Sequence, residues 1–108
     1  ELTDADRALI AATAREATET RIIVTHGTDT MTETAQVLAA AVPGKTIVLT
    51  GALSPARFAE SDASFNMGMA FATAQIAAPG VWIAMSGEMF DGLKVRKDRA
   101  AGKFVGLD

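Results

Sequence analysis

Three short runs of apolar, mostly branched residues constrain the fold of this chain more than any other feature. They lie within Arg21–Thr25, Thr46–Leu49 and Val81–Met85. None of the runs alternates apolar with polar residues, which is typical of strands covered on both faces. Because the segments between them are long enough for one helix each, the strands are expected to be parallel, with right-handed crossovers. The sequence therefore predicts an α/β fold, a three-layer sandwich around a mainly parallel, Rossmann-like sheet.

Helical spacing of apolar residues predicts a helix before each strand, giving the order α-β-α-β-α-β. The first helix covers about Leu2–Ala17. The second begins near Thr30, whose separation from Glu33 suits a capping box, and Ser61-Asp62 can cap the third. The apolar faces predicted for the three helices consist, in chain order, of Ala5, Ala8, Leu9 and Ala12; of Met31, Ala35, Leu38 and Val42; and of Phe65, Met69, Ala72 and Ile76.

A β-hairpin is predicted near the carboxyl end of the chain. Asp91-Gly92 stands between the short apolar segments Met89-Phe90 and Leu93–Val95, and this dipeptide favours two-residue hairpin turns. The second arm would lead into the basic stretch Lys94–Arg99, which is ordinarily a solvated face.

Composition excludes several classes of function. With 10 basic and 13 acidic residues the formal net charge is -3, so no basic face favours nucleic acid. No apolar run approaches the roughly 20 residues that a membrane helix needs. The absence of cysteine excludes disulfides and favours the cytoplasm, and His26 is the only histidine, so we expect no metal. No glycine-rich nucleotide motif occurs, and we expect no cofactor.

Polar residues follow each predicted strand at the point where it ends. They are Thr25–Asp29, Thr50-Gly51-Ala52 and Ser86-Gly87. Because ligands of open parallel sheets bind beyond the carboxyl ends of the strands, this edge of the sheet is the candidate site.

Two interpretations of the first polar segment follow from the residues themselves. The Thr28 hydroxyl is a weak nucleophile that needs a base, which Lys97 could supply while Asp29 holds the lysine. Alternatively, Thr28, Asp29 and Thr30 simply cap the second helix, and the residues alone favour this simpler role.

Two further polar residues also allow a structural role. His26 is expected to be a packed loop histidine that a backbone carbonyl satisfies. Arg57 could bind a substrate carboxylate or be an ordinary surface arginine.

Four segments resemble the bacterial-type L-asparaginase family in both order and spacing. "IIVTHGTDTMTETA" from Ile22 to Ala35 closely resembles its second signature. The other three segments are "KTIVLTGALSP", "SDASFN" and "GVWIAMSGEMFDGLKVRK", which start at Lys45, Ser61 and Gly80. The last is similar to a strand and hairpin that carry a catalytic lysine in the family.

The resemblance implies roles for individual residues. Thr28 would be the second catalytic threonine, Asp29 the carboxylate that binds the substrate amino group, and Lys97 their partner lysine. Gly27 would line the substrate site beside them, and the backbone carbonyl of Ala52 would meet the substrate amide.

One family feature has no match in the sequence. The first signature, T-G-G-T-I, carries the threonine usually assigned as the nucleophile, and none of the 108 residues corresponds to it. We therefore expect residues 1–108 to form the amino-terminal α/β domain of the family without its first segment, and to assemble into a dimer or tetramer, as the resemblance implies.

Three hypotheses for the function follow. The first is an amidohydrolase that cleaves the side-chain amide of L-asparagine or a related small amide and releases ammonia through a threonine-based acyl-enzyme. The second is a non-catalytic module that binds amino acids. The third is an inactive fragment with only a structural role.

Overall fold

The computed structural model describes residues 2–53 and 61–107. These residues form three helices and six strands: α1 Asp4–Glu16, β1 Arg21–Thr25, α2 Met31–Ala41, β2 Thr46–Thr50, α3 Ala63–Ile76, β3 Gly80–Met85, β4 Glu88–Asp91, β5 Val95–Asp98 and β6 Lys103–Gly106. The predicted alternation of helix and strand is confirmed for the first six elements. The described helices include none that is both long and apolar enough to span a membrane.

The main sheet has four strands in the order β1-β2-β3-β4. β1, β2 and β3 are mutually parallel, and β4 runs antiparallel to β3. All five residues of the central strand β2 are buried, as the run without alternation predicts for a strand covered on both faces. The α/β class with a mainly parallel sheet is therefore confirmed.

Helices cover both faces of this sheet, which completes the three layers. On one face α1 and α2 pack against Ile47 and Leu49 of β2 and Ile83 of β3. On the other face α3 packs against Val48 and Ala84, which alternate with the first set along the same strands. The first face carries the larger core.

The predicted apolar face is confirmed for α2 and wrong for α1 and α3. Met31, Ala35, Leu38 and Val42 are all buried. The buried residues of α1 are Arg7, Ala11 and Ala14, and those of α3 are Asn66, Ala70, Thr73 and Ala74. Both helices are rich in alanine on every side, so periodicity does not single out one face. Most of the residues that face the core are small, because small side chains allow these helices to pack closely against their neighbours.

Three of the four α3 residues predicted to be buried face solvent instead. Ile76 is 79% exposed and Phe65 is 61% exposed, while Ala72 is exposed and Met69 half-buried. Phe71 of the same helix is also exposed, at 57%.

Two of the predicted capping arrangements differ in the structure. The Thr30 side chain makes no capping hydrogen bond, and Glu33 lies 3.4 Å from buried Arg7, joining α2 to α1. At α3 the Ser61 hydroxyl accepts from the Ala63 N–H, whereas Asp62 accepts from the Leu53 N–H. The Asp62 carboxylate thus joins the helix to the loop after β2.

The predicted C-terminal hairpin is confirmed, but its predicted position at Asp91-Gly92 is wrong. β3 and β4 turn at Ser86-Gly87, where both residues have positive φ (55° and 80°), as a two-residue hairpin turn requires. β5 pairs with β6 to form a separate two-stranded sheet, the C-terminal hairpin. Asp91-Gly92 only connects β4 to β5, because Gly92 donates its N–H to the Val81 carbonyl and packs against the main sheet.

Replacing Leu38 by alanine tests the core beneath α2. Leu38 is fully buried, so Leu38→Ala is expected to lower the free energy of unfolding by about 2–5 kcal/mol in a urea titration. Leu9→Ala is the matched control, since Leu9 is 67% exposed and its replacement should change stability by about 0.5 kcal/mol or less. Equal losses for the two variants would contradict the assigned core.

Candidate active site

The loops after β1 and β2 are held together at the carboxyl edge of the sheet. The His26 N–H donates to the Thr50 carbonyl at 2.9 Å and so extends the pairing of the two strands by one residue. A side chain at Gly51 would collide with the carbonyl oxygen of His26. Glycine at this position therefore permits the close approach of the two loops.

His26 fills the base of the first loop. Its side chain is buried, with Nδ1 2.6 Å from the Gly27 carbonyl oxygen and Nε2 2.7 Å from the Thr34 hydroxyl. A carbonyl can only accept, so Nδ1 donates, and in the neutral ring Nε2 accepts from Thr34. Both nitrogens are thus used in fixing the turn against α2, in agreement with the packing role expected for this histidine.

Lys97 of β5 reaches the turn that carries Thr28 and Asp29. Its Nζ donates to the Thr28 Oγ1 at 2.7 Å and to the Asp29 Oδ1 at 2.7 Å. The lysine side chain is only 16% exposed. The structure therefore brings together all three residues predicted to be catalytic, although 69 positions separate Thr28 from Lys97.

The hydrogen bonds of Thr28 and Asp29 also bear on the simpler capping role. Both side chains accept from Lys97, and Thr30 provides no cap. The polar turn before α2 is thus organised around the lysine.

A second cation lies beside Asp29. The Arg99 Nη2 donates to the Asp29 backbone carbonyl at 3.1 Å, and its Nε lies 3.8 Å from the Asp29 Oδ1. The hydrogen bond and charge of Lys97, with a smaller effect from Arg99, hold the pKa of Asp29 below its ordinary value. Asp29 is therefore ionised at neutral pH.

An open cleft of about 360 Å³ lies next to these groups. Its lining consists of Leu2, His26, Gly27, Thr28, Asp29 and Thr30. A larger and more apolar groove of about 650 Å³ runs between α1 and the open edge of β1, away from Asp29 and Lys97. The smaller cleft is the one that combines space with reactive side chains.

Buried Asn66 holds the second loop of this edge in place. Its Nδ2 donates to the Gly51 carbonyl at 2.8 Å and to Asp62, and its Oδ1 accepts the Ser86 N–H at 2.9 Å. Ala52 follows Gly51 and is half-buried, and no hydrogen bond links it to Lys97 within the described residues. The substrate role of Ala52 stays a prediction.

Two residues near the site, Arg99 and Asn66, were not singled out as site residues from the sequence. Arg99 lies one residue beyond the end of β5, in the turn that follows it, so the period of two along a strand does not place it on the lysine's face. Asn66 is the last residue of the family-like segment that starts at Ser61, but its position in the site depends on contacts with Gly51 and Ser86, which are distant in sequence. Arg57, considered as a carboxylate-binding residue, lies outside the described residues.

Comparison with known proteins matches this architecture to one family. A model of the amino-terminal asparaginase domain matches residues 1–103. The chain belongs to the asparaginase family. The asparaginase-family signature around Thr28 and Asp29 and the strand that carries Lys97 both lie within the matched region.

Individual asparaginase-family relatives agree with this assignment. The chain is 34% identical to L-asparaginase of Thermococcus kodakarensis over 83 residues, covering 75% of this chain and 25% of that protein. It is 39% identical to L-asparaginase 2 of Escherichia coli over 79 residues, covering 69% of this chain and 23% of that protein. It therefore spans about a quarter of the length of these relatives.

Structural comparison gives a consistent result. The solved structure of the thermostable L-asparaginase from Thermococcus kodakarensis superposes with a TM-score of 0.88 at 28% identity. The superposition covers 97% of this chain and 34% of that one. The described fold therefore matches about a third of that longer protein.

The ion pair between Lys97 and Asp29 predicts how the titration of the Asp29 carboxyl responds when the lysine is replaced. Because the folded pKa of Asp29 is lowered, its contribution to stability is present above the pKa of the unfolded chain and is lost as pH falls through the folded value. Lys97→Met is expected to raise the titration midpoint of the Asp29 carboxyl carbon in an NMR titration. Lys103→Met is the control, and a midpoint that Lys97→Met leaves unchanged would contradict the pairing.

Proposed function

We propose that the chain provides the Thr28, Asp29 and Lys97 groups of an amidohydrolase that cleaves the side-chain amide of L-asparagine or a related small amide. The observation that carries the proposal is the double contact of the Lys97 Nζ, 2.7 Å from both the Thr28 Oγ1 and the Asp29 Oδ1. A hydroxyl beside a lysine that is held by a carboxylate is a recurring arrangement for acyl transfer. Membership of the asparaginase family supports the same reaction class.

The proton transfers of the proposed reaction can be written for these residues. In its neutral form Lys97 accepts the proton of the attacking group, which is the Thr28 hydroxyl or a water that this pair activates. When Thr28 attacks, its Oγ1 forms a bond to the amide carbon, and Asp29 stabilises the charged lysine. Lys97 then returns the proton to the departing nitrogen as the C–N bond breaks, so ammonia leaves and an ester remains. Water hydrolyses this ester to the free acid.

The backbone around the cleft would assist this chemistry. N–H groups of the turn before α2 lie at a helix amino-terminus, where the peptide dipoles favour a negative oxygen. The Gly27 backbone and the Ala52 carbonyl would line the substrate site on either side. The exposed Asp29 carboxylate would hold the substrate ammonium and so align the amide carbon.

Ammonia release tests the proposal directly. Ammonia is expected to form from L-asparagine in the presence of the chain, and Thr28→Ala or Lys97→Met is expected to lower kcat/KM by about 100-fold or more, because each removes part of the proton relay. Thr18→Ala is the matched control, since its hydroxyl is exposed and, among the described residues, bonds to Glu19 alone. Saturable binding of asparagine without ammonia would favour a non-catalytic binding module, and neither binding nor turnover would favour a structural fragment.

The same proposal includes a cytoplasmic homo-oligomer, a dimer or tetramer. The exposed side chains of Phe65, Phe71 and Ile76 on α3 support it, because large exposed apolar side chains are typical of association sites. Sedimentation velocity is expected to give a mass above that of one chain, and Ile76→Lys is expected to shift the protein toward monomer. A monomer at micromolar concentration would contradict this part of the proposal.

A further inference from the structure

The cleft beside the candidate catalytic groups lies where two helices begin. The loop before α2 supplies residues 26–30 of its lining. Among the described residues that line it, Leu2 alone comes from another part of the chain, and it stands directly before Thr3, the cap of α1. The width of the cleft therefore depends on how the beginnings of α1 and α2 are placed relative to each other.

Both helix beginnings are ordered by hydrogen bonds, and each is tied through its backbone to one charged residue. In α1 the Thr3 hydroxyl accepts from the Asp6 N–H at 3.1 Å, and the Arg7 N–H donates to the Thr3 carbonyl at 3.0 Å. In α2 the Glu33 N–H donates to the Thr30 carbonyl at 3.1 Å. Each charged residue thus lies about one helical turn from the segment that lines the cleft.

The side chains of Arg7 and Glu33 join the two helices. The Arg7 Nη2 lies 3.4 Å from the Glu33 Oε2, and its Nη1 donates to the Asp4 Oδ1 at 3.1 Å. Arg7 is only 6% exposed, and its Nε has no hydrogen-bond partner within residues 2–53 and 61–107. Burying a guanidinium while one of its N–H groups stays unpaired is unfavourable.

Stability alone does not account for a charged residue at this position. Apolar side chains of similar size that replace a buried ion pair often maintain or raise the stability of a protein, because no charge has to be desolvated. A guanidinium that binds two carboxylates differs from an apolar contact because it fixes both a distance and a direction. The property that the Arg7 contacts define is the position of α1 relative to α2.

We propose that Arg7 is a positioning residue of the candidate site, whose contacts with Asp4 and Glu33 hold Leu2 beside the turn before α2 and so set the width of the cleft. Within the described residues, the hydrogen bonds and ion pairs of Arg7 do not include the three proposed catalytic side chains. Loss of these contacts is therefore expected to change the fit of a ligand more than the proton transfers. The kinetic part of this inference rests on the proposed function, whereas the position of Leu2 does not.

A paramagnetic label tests the position of α1 without any ligand. The chain contains no cysteine, so Leu2→Cys allows a nitroxide to be attached at a single site. The label is expected to broaden the backbone amide signals of residues 26–30 in NMR spectra. Arg7→Met, which removes the charge but keeps a long side chain, is expected to reduce this broadening. Glu33→Gln, which leaves Arg7 in place, should do the same, and unchanged broadening in both variants would overturn the inference.

Steady-state kinetics with L-asparagine test the consequence for the site, in chains that retain Leu2. Arg7→Met is expected to raise KM by about 10-fold and to change kcat by less than about twofold, as for loss of an interaction that acts equally on ground state and transition state. Arg7→Lys, which keeps the charge but lacks the fork that bridges two carboxylates, should give an intermediate KM. A fall in kcat with an unchanged KM would contradict the positioning role.

Arg15→Met is the matched control, because Arg15 is an exposed arginine in the last turn of α1 and its replacement has the same effect on net charge. It should leave the broadening and both kinetic constants unchanged, and an effect equal to that of Arg7→Met would overturn the inference. Absence of ammonia release by the wild-type chain would contradict the proposed hydrolysis, and the paramagnetic measurement would then decide the inference by itself.

Discussion

The burial of β2 on both faces is the constraint on which the rest of the structure depends. A strand paired in parallel on both sides cannot be reached by tight turns, so the chain must cross over through helices on either side. Each crossover returns the chain to the same end of the sheet, and all three strands therefore leave the sheet at a single edge. The candidate site is a consequence of this topology, because the loops that hold Thr28 and Ala52 both begin there.

The candidate site also depends on the positive charge of Lys97, which lies on β5, outside the parallel sheet. Lys97 reaches the polar turn from β5, where it donates to Thr28 and Asp29 and its positive charge compensates the Asp29 carboxylate. Asp29 therefore has two functions in the proposed site, since it orients the lysine through Oδ1 while most of its carboxylate remains exposed to a ligand. Arg99 extends this charge pattern by one further group.

The sequence predicted the elements better than it predicted their contacts. Strand runs such as Ile47–Leu49 are unambiguous because their apolar residues are consecutive, and the face of α2 follows from its large side chains. The faces of α1 and α3 did not follow, because their packing depends on small residues whose hydrophobic contribution is weak. The turn at Ser86-Gly87 was missed because Asp91-Gly92 has the stronger local preference for a hairpin, which packing against Val81 overrides.

The candidate site was predictable only in part, and for a related reason. Residues alone favoured a capping role for Thr28 and Asp29, and the resemblance to a family pointed to Lys97 across a long stretch of chain. The positions of Arg99 and Asn66 in the site depend on tertiary contacts that local sequence patterns do not predict, since each residue bonds to a loop distant in sequence.

The separate pairing of β5 with β6 has a consequence for the lifetime of the assembled site. This hairpin forms no ladder with the main sheet within the described residues and is anchored to the core through Val95 and Phe104. Small units of this kind open locally with a lower free energy than global unfolding. Each opening would withdraw Lys97 and Arg99 together while the parallel sheet stays folded. The persistence of the site is then governed by the hairpin's own opening equilibrium, and amide hydrogens of β5 and β6 would exchange with solvent sooner than those of β2.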